Sequence, residues 1–340
     1  CLYKISAYWS IIIFDSLSIS INVPKGIVWS SVTVTKGEVS YPKTITVVSA
    51  STYSLTVGEE TNGTTTLSKA SQLLQNEEVT ATFTPAEGYV ALSYTVTSGE
   101  NSVTYPAYNK TTAAFKVPGD ATVTANYALA SEVTTFNWCA GTSRQYFVTE
   151  EGGFANSSGA AQSYETVMSS IKNADGDAIP SSVFGITPIT TFASGKWANL
   201  WYSSKGYGIN LYSGKDADAG SYSGFTLTSK HKIHSIKITF YGASYVQRAT
   251  VSSNGTELEG VIEDEAVCSY LVNGSEFTII NNQTNGNNLY MPAIEIVYEA
   301  PAAHAYQYDE DSHWASCPSC EYAVADTPHE IVNGECVCGY

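Results

Sequence analysis

The sequence predicts an all-β, multidomain chain. Three observations carry this. Segments in which apolar and polar residues alternate strictly recur along the chain, among them Tyr53-Ser-Leu55-Thr-Val57, Val79-Thr-Ala81-Thr-Phe83 and Ile236-Lys-Ile238-Thr-Phe240. A period of two is the strand period. Turn signals rich in Asn and Gly separate these segments at intervals of about ten residues. The composition also favours Thr, Val and Tyr, with 24 Tyr against 11 Phe and 6 Trp, over the residues that build helical bundles. By length, 340 residues make about two to three domains, and a hydrophobic content of 43% suffices for full cores.

Charge narrows the function classes. The chain holds 16 Lys and Arg against 32 Asp and Glu, a net charge of −16, yet only 14% of its residues are charged. A nucleic-acid partner needs clustered basic residues to neutralise phosphates, so none is expected. The most apolar run, Ile11 to Phe14, stops at Asp15, whereas a membrane-spanning helix needs roughly 20 such residues. The chain starts at Cys1, but Leu2-Tyr3-Lys4 is not the polar tether of a lipidated cysteine. It reads as a piece of a longer modular protein.

Residues 1–50 form short alternating segments around Val32–Thr35 and Thr44–Val47, the end of a preceding β segment without an assigned function. Residues 51–128 are more informative. Tyr53-Ser-Leu55-Thr-Val57 leads to the turn Thr61-Asn62-Gly63. A strand at Val79–Phe83 follows, with the turn Pro85-Ala-Glu-Gly88 before Tyr89. The segment closes with Phe115-Lys-Val117-Pro118-Gly-Asp120 and the strand Ala121-Thr-Val123-Thr-Ala125-Asn-Tyr127. This order of marks over 53–128 resembles the divergent internalin-B-type repeat, also called the bacterial repeat domain, with Val117 where the family has Met. The resemblance implies a β-grasp-like module of bacterial surface proteins and implies no catalytic residues.

Residues 129–300 read as a β-sandwich with one helical stretch. Tyr164, Val167, Met168 and Ile171, spaced by three and four, predict a helix over 160–172. Asn254-Gly255 between Val251 and Leu258 predicts a hairpin. The strand endings Ile233-His-Ser-Ile236-Lys-Ile-Thr-Phe240-Tyr241, Phe277-Thr-Ile279-Ile-Asn281 and Ile294-Glu-Ile296-Val-Tyr298 are similar to jelly-roll domains of gut-bacterial secreted proteins, many of which bind glycans. Stacking on a sugar ring needs exposed aromatics beside amides or carboxylates. Trp197, Trp201, Tyr202 and Tyr207, in a Gly- and Ser-rich stretch, are therefore the candidate ligand-binding residues; the competing reading places some of them in the sandwich core. Tyr241, Tyr245 and Arg248 form a second group. Asp175 and Asp177, like Asp216 and Asp218, have the carboxylates for Ca²⁺ but not the spacing of a calcium loop, and an Asp-Gly-Asp run is more often a turn. Cys139 and Cys268 read either as a disulfide or as buried thiols. His231 and His234 lack the G-x-S-x-G elbow of a nucleophilic triad, and no phosphate-binding or dinucleotide fingerprint is present.

Residues 301–340 hold four of the seven Cys, three of the five His, seven acidic residues and no Lys or Arg. Cys317-Pro-Ser-Cys320 is a knuckle that brings two thiolates to one tetrahedral Zn²⁺, and Cys336-Val-Cys338 supplies a second pair. The second pair is one residue shorter than a knuckle, so His313 or His329 enters as an alternative ligand. About 40 residues are too few to fold on an apolar core alone. Structural zinc is one source of the missing stability and disulfides, favoured in secreted proteins, the other. The tail resembles Cys/His zinc-ribbon-like units of clostridial-type surface proteins, which normally have two residues between the last Cys pair.

These readings together describe a secreted or wall-attached bacterial protein, not an enzyme, that binds a glycan or a host-surface ligand. The alternatives are a purely structural stalk and an appendage of an extracellular glycosidase or peptidase.

Overall fold

The structure, a computed structural model, describes residues 33–36, 39–42, 52–141, 144–200, 208–300, 307–316, 323–331 and 336. Trp201, Tyr202, Tyr207, Cys317, Cys320 and Cys338 lie outside these residues, as does most of 1–50. Strands dominate the described chain and helices are few and short, as its alternation predicts. No helix among the described residues is long and apolar enough to cross a membrane.

The first unit packs a four-stranded sheet against a three-stranded one, and no helix belongs to it. The larger sheet runs Leu55–Val57, Ala121–Leu129, Tyr89–Ser98, Asn101–Pro106, and the smaller runs Gly63–Leu67, Glu78–Pro85, Thr112–Lys116. Alternation does the work expected of it. Val79, Ala81 and Phe83 from one sheet meet Val123, Ala125 and Tyr127 from the other in a single core. The first and last strands pair in parallel, Leu55 beside Ala121 through Val57 beside Val123. Asp120 closes this pair, its carboxylate accepting the Ser54 N–H at 2.7 Å. The Tyr127 hydroxyl donates to the Thr64 carbonyl at 2.8 Å, and its ring lies so close to Gly63 that a Cβ there would meet it at 2.6 Å. That glycine is a packing requirement as well as a turn signal.

The Ser/Thr-rich, charge-poor composition has a structural counterpart. Hydroxyls pair across strands on the outward faces: Thr56 with Thr122 at 3.0 Å, Thr95 with Thr104 at 2.9 Å and Thr226 with Thr278 at 2.7 Å. Such cross-strand pairs stabilise a sheet as ion pairs do, by a few tenths of a kcal/mol to about 1 kcal/mol each.

No long linker separates the two units. Strand Ala121–Leu129 passes through one 3₁₀ turn, Ala130–Glu132, into Val133–Trp138 of the sandwich. Leu92 of the first unit packs with Val133 and Val297 of the second, flanked by Tyr108 and Ala128. Lys110 crosses to Glu263 at 2.6 Å, and Glu263 also accepts the Ser269 hydroxyl. Burial first, and then Glu259 and Glu295 respectively, pushes the phenols of Tyr105 and Tyr108 upward.

The sandwich places an eight-stranded sheet over a six-stranded one. The large sheet is organised by two long strands, Ser223–Thr239 and Val267–Asn281, that pair with each other along most of their length. The smaller runs Ala161–Gln162, Phe154–Asn156, Arg144–Val148, Lys196–Leu200, Ile209–Leu211, Leu289–Met291. One core fills the space between, with Trp138, Trp197, Phe225 and Phe277 as its largest side chains. Asn254 and Gly255, at φ of 49° and 75°, form the hairpin turn expected between Val251 and Leu258, a two-residue turn closed by Ser253 opposite Thr256.

The helix is shorter than its periodicity predicts. It covers Tyr164–Met168, and the ends of the expected stretch become strands Ala161–Gln162 and Ile171–Lys172. Ser163 caps the start by accepting the Thr166 N–H. Ser170 turns back at the end, bonding the Thr166 carbonyl at 2.9 Å and the Tyr146 hydroxyl at 2.6 Å. Sheet pairing on both sides overrides local helical spacing.

Cys139 and Cys268 are separate free thiols, so the disulfide alternative gives way. Cys268 is 2% exposed, a small apolar core residue whose thiol burial pushes up. The acidic turns are turns. The Asn173 amide accepts the Asp177 N–H at 2.8 Å and donates to its carboxylate at 3.1 Å. Asp216–Asp218 form a 3₁₀ turn.

His234 is buried at 8% exposure, and its Nδ1 has no partner. Burial first, and then the Lys232 charge, holds the imidazole below its ordinary value. The native state therefore keeps His234 neutral at a pH where the unfolded chain binds a proton, and stability is lost as pH falls below the unfolded value of about 6.5. Urea melts between pH 7 and 5 should show this loss, with a slope of up to about 1.4 kcal/mol per pH unit. His234→Leu should flatten it, and an unchanged profile in that variant would contradict the assignment.

Candidate functional site

Two clusters gather side chains that the cores do not require. The first lies in the tail. Strands Gln307–Tyr308, Ser312–Ser316 and Ala323–Pro328 form a three-stranded antiparallel sheet. The turn between the first two is fixed by Asp309, whose carboxylate accepts the N–H groups of Asp311 and Ser312 at 2.9 Å each. Those bonds hold the carboxyl below its usual range. His313 stands on the middle strand opposite Thr327, and His329 follows the third strand. Both converge on Cys336. Its Sγ lies 3.6 Å from His313 Nδ1 and 3.5 Å from His329 Nδ1, and the three donor atoms fall within 4.8 Å of one another. His313 and Cys336 are buried, at 6% and 5% exposure.

This spacing suits a metal ion. A tetrahedral centre with nitrogen at about 2.0–2.1 Å and sulfur at about 2.3 Å separates the two donors by about 3.5–3.6 Å, the separation seen here twice. The second ring nitrogen of His329 is engaged as well, Nε2 to the Asp309 carbonyl at 2.9 Å. Metal-binding histidines commonly donate their other N–H in this way, which fixes the tautomer and aims the lone pair at the ion. Among the described residues this is the group of His, Cys, Asp and Glu whose atoms come close enough for one ion. The sequence named all three residues but gave no sign that Asp309, four residues before His313, orients the site.

The second cluster sits on the sandwich. Trp197 is not part of it, which corrects its assignment as a ligand-binding residue. Its side chain is fully buried, its indole N–H donates to the Gly224 carbonyl of the opposite sheet at 2.5 Å, and its ring packs on Tyr146 and Phe154. The strand carries a bulge there, with the register shifting between Tyr146 and Phe147 opposite it, and both Trp197 and Ala198 are buried. Tyr241, Tyr245 and Tyr290 gather at the surface, their ring centroids 5.5–6.2 Å apart. Tyr241 is 44% exposed. Arg248 stacks on Tyr245 at 3.9 Å and donates to the carbonyls of Asn288 and Ser244. The sequence suggested Tyr241, Tyr245 and Arg248 as a weaker group but missed Tyr290, which only strand pairing brings to them.

Residues 53–131 match the family model of the divergent InlB B-repeat domain. The B-repeat match thus covers the first unit and ends in the 3₁₀ turn that leads into the sandwich. No curated protein and no solved structure matches the chain.

Asp309 generates a prediction. Asp309→Ala removes the acceptor that holds the turn presenting the carbonyl to His329. Cobalt(II) titration of the full chain under reducing conditions, followed by the thiolate-to-cobalt absorption, should show affinity weakened by about tenfold or more. Equal affinity would show that the turn does not orient the ligand.

Proposed function

We propose that the chain belongs to a non-catalytic, modular protein of the bacterial cell surface, in which the B-repeat unit is a spacer and the sandwich binds carbohydrate. The observation that carries this reading is the group of three tyrosine rings and one arginine at the sandwich surface. Aromatic faces stack on the C–H faces of sugars while amides and carbonyls meet the hydroxyls. The B-repeat match supports the surface location. A glycan array probed with the full chain should give binding that falls at least tenfold in Tyr241→Ala. Binding to no arrayed glycan would overturn the reading. The stalk alternative draws support from the packed seam of Leu92, Val133 and Val297, and an array without binding would favour it.

The tail, in the same reading, is a structural zinc module. His313, His329 and Cys336 would hold the ion, with Cys317, Cys320 and Cys338 as the candidates for the remaining position. Bound zinc would cross-link a small sheet in which His313 and Cys336 are the buried side chains among the described residues. Elemental analysis of the chain purified under reducing conditions should give one zinc per molecule, lost in Cys336→Ser. Absence of stoichiometric zinc would remove this assignment.

A further inference from the structure

Arg248 is a cation without a carboxylate in a chain that has 32 acidic residues against 16 basic ones. The ion pairs among the described residues are Lys69–Glu77, Lys110–Glu263 and Lys237–Glu295, and Arg248 belongs to none of them. Its surroundings explain why. The tyrosine cluster is built from two stretches, 241–256 and 277–294, and neither contains an Asp or a Glu. Arg248 is half-buried, so its guanidinium has lost part of its hydration. Where no carboxylate of the chain replaces that water, the charge is left for an anion from outside.

The guanidinium is also held still. Nη1 donates to the Asn288 carbonyl at 2.9 Å and Nε to the Ser244 carbonyl at 3.3 Å. The Arg248 carbonyl accepts the Asn282 N–H at 2.9 Å, so one residue clamps both ends of the loop between 282 and 288. The Nη2 hydrogens bond to no described residue. A guanidinium fixed by two carbonyls and a ring is pre-organised, and a carboxylate that reaches Nη2 costs it little further side-chain entropy. Tyr245 lies 3.9 Å from the guanidinium and 5.6 Å from the ring of Tyr241, which is 44% exposed, so an aromatic face and an unpaired cation adjoin. One cation meets one carboxylate. The net charge of −16 repels a dense polyanion, whereas a screening length of about 8 Å at physiological ionic strength leaves a single contact pair largely intact.

We propose that the tyrosine cluster takes a sugar chain with a single carboxylate on an otherwise neutral backbone, the carboxylate meeting Arg248 Nη2 and a pyranose face lying on Tyr241. This rests on the carbohydrate reading above and adds the charge of the ligand to it.

The test is calorimetric titration of the full chain with two matched pairs, sialyllactose against lactose and xylotetraose bearing one glucuronate against plain xylotetraose, and with hexagalacturonate as the dense polyanion. In at least one pair the acidic member should bind at least tenfold more tightly than its neutral partner, and more tightly than hexagalacturonate. Arg248→Gln should abolish that difference. Tyr241→Ala leaves the clamp in place, serves should Arg248→Gln fail to fold, and should weaken the acidic member at least tenfold. Equal affinity within both pairs, or tighter neutral members, would overturn the inference, leaving Arg248 a clamp of its loop and the carbohydrate reading intact. A difference that survives in folded Arg248→Gln, or undiminished binding in Tyr241→Ala, would place the ligand elsewhere and overturn it too. Tightest binding of hexagalacturonate would overturn the single carboxylate. Binding of none of the five probes by the wild type would overturn the inference, and the carbohydrate reading then stands or falls on the array.

Discussion

The sandwich depends on one hydrogen bond across its middle. Trp197 reaches from the smaller sheet to the Gly224 carbonyl of the larger, and residue 224 sits tight against its paired strand because it has no side chain. A Cβ there would meet the Ile279 carbonyl at 2.4 Å and the Ile280 side chain at 2.7 Å. The indole thus satisfies its own buried donor and fixes the separation of the two sheets at one point. Tyr146 and Phe154 pack against it, and Trp138, Phe225 and Phe277 fill the adjacent space. With the sheets held in this register, Asn199 and Asn210, paired across neighbouring strands, fall on the face away from the core.

Much of this architecture was legible in the residues themselves. Period-two alternation located most strands of the first unit, though not Gly63–Leu67 or Asn101–Pro106, and part of each long strand of the sandwich, because one face of each is buried and the other wet. Asn254-Gly255 announced its hairpin because few other pairs accept two successive positive φ values. Local pattern failed where sheet pairing outranked it. The helix periodicity over 160–172 competed with two strand ends and kept only its middle. Trp197 had the Gly- and Ser-rich surroundings of a surface residue, yet a bulge turned it inward, and no spacing rule reports a bulge.

The candidate sites divide in the same way. The tail ligands are cysteine and histidine, residue types scarce elsewhere in the chain, so composition alone drew attention to them. Convergence of His313, His329 and Cys336 on one point then came from a strand pairing and a turn. Tyr290 was invisible because tyrosine is common throughout this sequence. What distinguishes it is which strand lies beside which, and Leu289–Met291 joins its sheet from far along the chain.

The parallel pairing in the B-repeat unit has a mechanical consequence. Its first strand, Leu55–Val57, and its last, Ala121–Leu129, run side by side in the same direction. The chain therefore enters at one end of this pair and leaves at the other. Tension applied through the backbone loads the bonds between them in shear, so that they share the force and must break together, whereas a hairpin pulled from its open end would yield one bond at a time. Pulled through its two chain ends, such a unit resists extension along the direction of the load.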